Sequence, residues 1–169
     1  TGSEYLGLSE YAYRGDSFTE FTAEFWIYLD SHDTSSNKMI FRSYSPEFRI
    51  ETTTGDGFYI YVPQRRISDS SCCYSQSFYL GSTSDITALE DSWHHIALTY
   101  DGTDDRIEMY IDSVLLDSHT WSYSDDMRLI TDSCCESTSI NFNGIVDDIR
   151  FSNKVLSTSE FMTGSATAA

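Results

Sequence analysis

The sequence predicts an all-β protein, a two-sheet antiparallel β-sandwich with jelly-roll connections. Apolar and polar residues alternate along several short segments, which is the side-chain period of a strand. Residues that favour turns separate those segments, and helical periodicity is hard to find. Roughly ten to thirteen short strands separated by turns are typical of sandwiches and jelly rolls.

The predicted strands follow one another at short spacing. The first, residues 21–29, has Phe21, Ala23, Phe25, Ile27 and Leu29 on one face and Thr22, Glu24, Trp26 and Tyr28 on the other. Further strands are predicted at residues 39–44, 47–51, 58–62, 77–80, 93–100, 106–111, 114–118 and 140–151. We expect a single domain over residues 1–162 and a flexible tail over residues 163–169.

Turn-forming and strand-breaking residues locate several strand ends. Gly55-Asp56-Gly57 predicts a turn, and Asp112-Ser113 predicts a hairpin. Pro63 is predicted to end the strand 58–62, because proline cannot donate a hydrogen bond to the ladder. Residues 86–89 and 158–162 are compatible with a helical turn.

Length and charge limit the classes of function. The 169 residues are enough for one domain with a full core. The net charge of -17, from 27 acids and 10 bases, argues against a nucleic-acid partner. No run of about 18 apolar residues is present, so we expect no membrane insertion. The chain begins at Thr1 without a signal peptide, so we expect a processed or excised piece of a longer protein.

The four cysteines form two adjacent pairs, Cys72-Cys73 and Cys134-Cys135, in segments that resemble each other. Neighbouring side chains on a strand point to opposite faces, so two disulfides would form if the segments run side by side. Free thiols and a zinc site are the alternatives, although adjacent ligands fit zinc badly. Disulfides would place the protein outside the reducing cytosol.

Four segments in order resemble the laminin-G-like, concanavalin A-like lectin/glucanase family. They are the Phe-Thr-x-Glu-Phe-Trp pattern at residues 21–26, the Trp-His-His strand at 93–102, the Tyr-x-Asp hairpin at 109–114 and the closing strand at 142–150. The resemblance covers roughly residues 3–161. Ser113 stands where the family's hairpin usually has glycine, which makes a type I′ turn less comfortable.

The resemblance implies a structural calcium ion beside the closing strand. Asp147 occupies the position of the family's aspartate ligand, and Asp16 in the N-terminal loop is a second candidate. A hydrogen bond from Arg150 or from backbone amides is the alternative role for Asp147. Asp148 is expected to face solvent. Asp16 also ends Arg14-Gly15-Asp16, a tripeptide of cell-adhesion proteins that polar loops contain by chance.

Hydrolysis is not favoured by the acidic residues. Retaining glycosidases need two carboxylates about 5 Å apart on one face. The acid clusters here are adjacent pairs, which face apart on a strand: Glu90-Asp91, Asp104-Asp105, Asp125-Asp126 and Asp147-Asp148. The pair His94-His95 has no nucleophile beside it in this interpretation, so a core or interface role is expected. We therefore predict that the protein is not an enzyme.

Aromatic residues outside clean strands are the better indication of function. Sugars stack their C–H faces on aromatic rings, and polar neighbours bind their hydroxyl groups. Trp121 and Tyr123 lie in a polar segment of this kind, and Tyr44 and Tyr74 are weaker candidates. Tyr59 and Tyr61 are weaker candidates too, because tyrosine also favours strands.

The sequence thus predicts a recognition module that binds glycans or another surface polymer. It is expected to be extracellular, on a cell surface or on a virion surface. The alternative is a structural or decoration domain of a large assembly, such as a virion or filament, with neighbouring protein subunits as partners. Fold alone does not choose between these functions.

Overall fold

The protein is a β-sandwich of two sheets, which confirms the predicted fold class. The structure, a computed structural model, describes residues 20–31, 38–44, 47–55, 57–66, 74–120, 127–129, 140–141 and 143–163. Their elements are β1 (Glu20–Ser31), β2 (Lys38–Tyr44), β3 (Glu47–Thr52), β4 (Phe58–Arg66), β5 (Tyr74–Leu80), α1 (Thr83–Thr87), β6 (Trp93–Asp101), β7 (Arg106–Ile111), β8 (Val114–Thr120), β9 (Met127–Leu129), β10 (Ile140–Asn141) and β11 (Asn143–Ser152).

The strands form two sheets of different order. Sheet A has the order β11-β1-β6-β7-β8, and each neighbouring pair in it is antiparallel. Sheet B has the order β10-β2-β3-β4-β5, and β9 pairs with β4. Its pairs are antiparallel except β10–β2, which is parallel.

The hydrophobic core lies between the sheets, as the alternation in β1 predicts. Phe21, Phe25 and Ile27 are fully buried on the inner face of β1. Sheet B contributes residues such as Ile50 and Ile60 to the same cluster. Burying an aliphatic or aromatic side chain of this size contributes about 1.5–3 kcal/mol, so this cluster is the main source of stability.

A segment after β11 covers part of the outer face of sheet A, and the sequence analysis did not predict it. In this C-terminal strap, residues 154–162, Leu156 and Phe161 pack with Ala97 of β6 as a second small cluster. The helical turn expected at 158–162 is a hydrogen-bonded turn, in which Glu160 N–H donates to the Ser157 carbonyl at 2.9 Å.

Three local features differ from expectation or refine it. Strand β4 continues past Pro63 to Arg66, so the prediction that Pro63 ends this strand is wrong. Among the described strands, β3 pairs with β4 only as far as Tyr61 and β9 begins only at Gln64. Pro63 therefore lies at a locally open edge, where its missing N–H breaks no ladder bond on that side.

The helical turn expected at 86–89 belongs to α1, which begins earlier. Ser82 N–H donates to Asp85 Oδ2 at 2.8 Å, and this contact satisfies a donor that a helix start leaves unpaired. Ile86 of this helix is fully buried in the core. Among the described residues, no helix has both the length and the apolar character needed to span a bilayer.

A β-bulge in β11 explains how a strand accommodates Asp147-Asp148. Glu24 of β1 pairs with Arg150 and Trp26 pairs with Asp147, so Phe25 faces two residues of β11. Asp148 has a φ of 49°, which is left-handed backbone that aspartate tolerates better than most residues. The extra residue lets both acids be exposed.

Candidate functional site

Several predicted site residues lie outside the described part of the chain. They are Asp16, Trp121, Tyr123 and the four cysteines, Cys72, Cys73, Cys134 and Cys135. The calcium ligand at Asp16, the sugar-binding role of the two aromatics and the disulfides stay predictions. Near the cysteine segments, Arg65 of β4 pairs antiparallel with Arg128 of β9.

Two tyrosines from neighbouring strands face each other on the outer face of sheet B. Tyr59 of β4 pairs with Tyr79 of β5, while their neighbours Phe58 and Leu80 are buried in the core.

Tyr44 of β2, Tyr61 of β4 and Tyr74 of β5 have side chains that lie outside the described part of the structure. Their sugar-binding roles therefore stay predictions.

Half-buried Tyr59 and exposed Tyr79 form a ring pair. Their ring centroids are 5.4 Å apart with an interplanar angle of 57°. Tyr79 is 52% exposed, and its pairing with Tyr59 is the second from the end of the β4–β5 ladder. Beside the pair, the Tyr59 partner on β3 is Glu51, which is buried on the same outer face. Tyrosine rings of this kind present both an apolar face and a polar hydroxyl group to a ligand.

The candidate calcium ligand Asp147 is exposed and already makes a local contact. Its Oδ1 accepts the backbone N–H of Asp148 at 2.8 Å, which is one of the alternative roles expected from the sequence. Calcium takes six to eight oxygen ligands, many from carbonyls. Within the described residues, no group of three or more His, Cys, Asp or Glu is placed to hold a metal ion. Asp147 would thus need ligands from elsewhere in the chain, and the site stays a prediction.

A buried polar network lies under the C-terminal strap. Glu24 of β1 is fully buried, and its Oε1 accepts hydrogen bonds from the guanidinium of Arg150. Its Oε2 accepts from the backbone N–H of Met162 at 2.8 Å and from Nε2 of His95 at 3.0 Å. A buried carboxylate needs such partners, and here they connect β1, β6, β11 and the strap.

His95 is held neutral in this network. Burial lowers the pKa of His95, and this effect exceeds the opposing attraction of Glu24. Nε2 donates to Glu24, so the neutral ring carries its lone pair on Nδ1, which has no hydrogen-bond partner among the described residues. This confirms the predicted core or interface role for one of the two histidines.

His94 has a hydroxyl group beside it, so the expectation that no nucleophile neighbours the histidine pair is wrong. Ser92 Oγ lies 2.9 Å from His94 Nε2, and Asp112 Oδ2 lies 2.7 Å from His94 Nδ1. Asp112 Oδ1 also accepts the backbone N–H of His95 at 2.9 Å, and Asp112 N–H donates back to the His95 carbonyl. The arrangement fastens the β7–β8 turn to the start of β6.

Sequence reasoning missed the burial of the outer face of β1. Thr22 Oγ1 donates to the Lys154 carbonyl and accepts from Leu156 N–H, both at 2.9 Å. Two apolar residues beyond the last strand, Leu156 and Phe161, could have indicated this burial, because apolar side chains after a strand usually pack against the rest of the domain.

Comparison with known proteins agrees with this fold. A family model, Laminin G 3 of the concanavalin A-like lectin/glucanases superfamily, matches residues 2–161. No curated protein gives a significant match. A solved candidate carbohydrate-binding protein from Bacteroides ovatus ATCC 8483 is 16% identical with a TM-score of 0.59, over 87% of this chain and 41% of that chain.

Two further solved structures are similar. Botulinum neurotoxin type C, whose uptake into cells depends on two ganglioside molecules, is 16% identical with a TM-score of 0.50, over 85% of this chain and 34% of that one. The CBM40 of a Ruminococcus gnavus IT-sialidase, bound to α2,3-sialyllactose, is 13% identical with a TM-score of 0.47, over 85% and 81%. This chain spans less than half of the first two proteins. By its fold and its match over residues 2–161, the chain belongs to the concanavalin A-like lectin/glucanases superfamily.

Proposed function

We propose that this chain is a non-catalytic recognition module that binds glycans through the outer face of sheet B. The observation that carries the proposal is the ring pair of half-buried Tyr59 and exposed Tyr79, with centroids 5.4 Å apart. Aromatic rings at this spacing offer a platform for the C–H face of a sugar ring.

The likeness to known proteins supports the same function. The Bacteroides ovatus protein is described as carbohydrate-binding, and the botulinum neurotoxin interacts with gangliosides. Both share the sandwich architecture of this chain. Such proteins meet their sugars outside cells, so we expect this module to act in an extracellular setting.

The placement of the acids supports binding without cleavage. Three adjacent acid pairs lie in the described residues, and each contains an aspartate with positive φ: Asp91, Asp105 and Asp148. Those backbone conformations belong to turns and bulges, whereas glycoside hydrolysis needs two carboxylates facing each other across a substrate. The contacts of Ser92, His94 and Asp112 are explained by the docking of a hairpin turn.

The proposal is tested by glycan-array screening, followed by calorimetric titration of the best ligand. Tyr79→Ala and Tyr59→Ala should each weaken binding about tenfold, which corresponds to about 1.4 kcal/mol for an aromatic contact. Tyr28→Ala is the matched control, because Tyr28 forms a similar ring pair with Trp93 on the outer face of sheet A, at 5.7 Å. Equal losses in all three variants, or no loss in Tyr79→Ala, would contradict the assignment of this face.

The structural-subunit alternative retains one supporting observation. Large aliphatic side chains are exposed on both edge strands of sheet A, Val114 and Leu115 on β8 and Ile145 on β11. Exposed apolar residues on sheet edges favour contact with other chains. Light scattering at increasing concentration tests this alternative, and a monomer at all concentrations would count against it.

A further inference from the structure

Ser92, His94 and Asp112 form a hydrogen-bonded row at one end of sheet A. Ser92 Oγ lies 2.9 Å from His94 Nε2, and Asp112 Oδ2 lies 2.7 Å from His94 Nδ1. Ser92 immediately precedes β6, His94 is the second residue of that strand, and Asp112 lies in the turn between β7 and β8. Two segments of the chain thus bring a hydroxyl group, an imidazole ring and a carboxylate into direct contact.

The carboxylate of Asp112 determines which nitrogen of His94 carries the proton. A carboxylate only accepts hydrogen bonds, so Nδ1 donates to Asp112 Oδ2. The lone pair of the neutral ring is then on Nε2, which accepts from the hydroxyl group of Ser92. With this order of hydroxyl, imidazole and carboxylate, a histidine can remove the proton of a nucleophilic serine.

Backbone contacts hold both ends of this row in position. Asp112 Oδ1 accepts the His95 N–H at 2.9 Å, and Asp112 N–H donates to the His95 carbonyl at 2.8 Å. On the serine side, Asp91 N–H donates to the Leu29 carbonyl at 2.9 Å, and Glu90 forms a bridge with Leu29. Docking of the hairpin turn therefore places the carboxylate, while the segment that carries the hydroxyl is anchored separately on β1.

The hydroxyl group is accessible from solvent, and the histidine beside it is largely covered. Ser92 is exposed, whereas the side chains of His94 and Asp112 are 20% and 48% exposed. A second acceptor, the Glu90 carbonyl, lies 3.4 Å from Ser92 Oγ, so His94 Nε2 is the nearer one. A reagent from solution can thus reach Ser92 Oγ while its base keeps one orientation.

We propose that Ser92 is an activated nucleophile and a site of covalent acylation, which accepts an acyl group from an activated ester. Ser92 Oγ attacks the carbonyl carbon of the ester while His94 Nε2 takes the hydroxyl proton. The bond from that carbon to the leaving oxygen then breaks, and Nε2–H protonates this oxygen. Acyl-Ser92 and an alcohol are formed, and His94 is neutral again. Asp112 is a positioning residue, which orients the ring and stabilises the transient imidazolium.

Acetylation by p-nitrophenyl acetate tests the proposal on the native protein. Mass spectrometry of peptides measures how fast each serine gains an acetyl group. Ser92 should react about a hundredfold faster than Ser157, which is the scale of general base catalysis. Ser157 is the internal control, because it is also exposed and its Oγ is hydrogen-bonded to Glu160 and Ser159, with no histidine among its described contacts.

Asp112→Asn separates a role in reactivity from a role in folding. Asparagine tolerates the φ of 51° at this position, and its oxygen can still accept the His95 N–H. Its amide group would donate to His94 Nδ1, which moves the ring proton to Nε2 and removes the acceptor for the Ser92 hydroxyl. Acetylation of Ser92 should fall about tenfold or more while the melting temperature changes little. Asp117→Asn is the matched control, since the described contacts of Asp117 are with backbone N–H groups.

Acylation at Ser92 goes beyond glycan binding and uses no residue of the outer face of sheet B, so each can fail alone. Acetylation of Ser92 no faster than that of Ser157, or unchanged in His94→Gln and Asp112→Asn, would overturn the activated nucleophile and leave glycan recognition standing. A glycan array without any ligand would have the opposite result. Release of many p-nitrophenol molecules per chain, abolished in Ser92→Ala, would support the nucleophile and contradict the non-catalytic part of the proposed function.

Discussion

Glu24 Oε2 and His95 Nε2 are joined by a buried hydrogen bond of 3.0 Å, although 71 residues separate them in the chain. Their side chains are 0% and 3% exposed. The same carboxylate receives the Arg150 guanidinium and the Met162 amide. A single acidic side chain thus holds two neighbouring strands and the C-terminal strap against β1.

Removing the charge of Glu24 should destabilise the protein strongly. We expect Glu24→Gln to lower the free energy of unfolding by about 2–3 kcal/mol, because hydrogen bonds to a charged group are worth that much and the amide cannot accept all of them. Urea denaturation measures the change. Glu20→Gln is the control, since the described contact of Glu20 is a longer one, 3.5 Å to Val155 N–H. Equal effects of the two variants would refute the central role of Glu24.

Acid should weaken the same network through His95. Burial lowers the pKa of His95 below 6.5, so the unfolded chain binds a proton that the folded chain resists. Stability is therefore full above pH 6.5 and falls as the pH drops through 6.5 toward the folded pKa. The groups around the ring are Glu24, Asp112 and Arg150, of which the first two oppose the shift and the last supports it.

Urea midpoints at about pH 7.5 and about pH 5.5 test this dependence. His95→Gln should lose part of the difference, because glutamine can donate to Glu24 but does not titrate. Glu160 does not interfere in this range. Its hydrogen bond with Lys154 lowers its pKa to about 2, so its contribution is lost only as the pH falls below 4.5. A pH response in His95→Gln as large as that of the native protein would rule out His95 as its source.

A glycine in place of Ser113 should stabilise the β7–β8 turn. Asp112 and Ser113 have φ of 51° and 65°, as a type I′ turn requires. This is the conformation that the sequence analysis expected to be unfavourable for Ser113. Left-handed backbone costs a residue with a side chain about 1 kcal/mol. Ser113→Gly should therefore raise the free energy of unfolding by about 1 kcal/mol, or several degrees in melting temperature. Ser118→Gly, in the strand β8, should lower it.

Calcium dependence is tested by a chelator. We expect excess EDTA to lower the melting temperature of the native protein and to have no effect on Asp147→Ala, because the resemblance assigns a ligand to Asp147 alone of the two adjacent acids. Asp148→Asn should keep the response, since asparagine also tolerates positive φ. A native protein that melts at the same temperature with and without EDTA would count against the ion.

The cysteine pairs are tested by mass spectrometry. Two disulfides predict that four alkylations appear only after reduction, and that reduction lowers the free energy of unfolding by about 2–4 kcal/mol for each bridge. Alkylation of all four cysteines without reductant would identify free thiols. A zinc site would show instead as a mass that returns to the apo value on chelation.

Local patterns predicted most of the fold. The faces of β1, the strand β6 and the Asp112-Ser113 hairpin follow from alternation and from turn residues, which act over a few neighbours. The burial of Glu24 depends instead on Arg150 and Met162, 126 and 138 residues away. Alternation marks the outer face of β1 as polar, but it does not show that another segment covers that face.

In the candidate site, too, residue types could be predicted from the sequence but their spatial arrangement could not. Tyr59 was a candidate because of its residue type, but its ring contact with Tyr79 depends on how β4 and β5 pair. Strand pairing is set by the whole core, so no short window of the sequence contains it.

The additional residue of the bulge in β11 also determines which side chains at the end of that strand face the core. Before it Val146 packs on the core, and after it Ile149 and Phe151 do. In a chain lacking Asp148, every later residue of β11 would point to the opposite face of sheet A. The Arg150 guanidinium would then lie in the hydrophobic core, and Ile149 and Phe151 would face solvent. One residue therefore determines whether the C-terminal strap can pack on sheet A. Any engineered loop graft or sequence alignment in this region has to preserve the number of residues in the bulge.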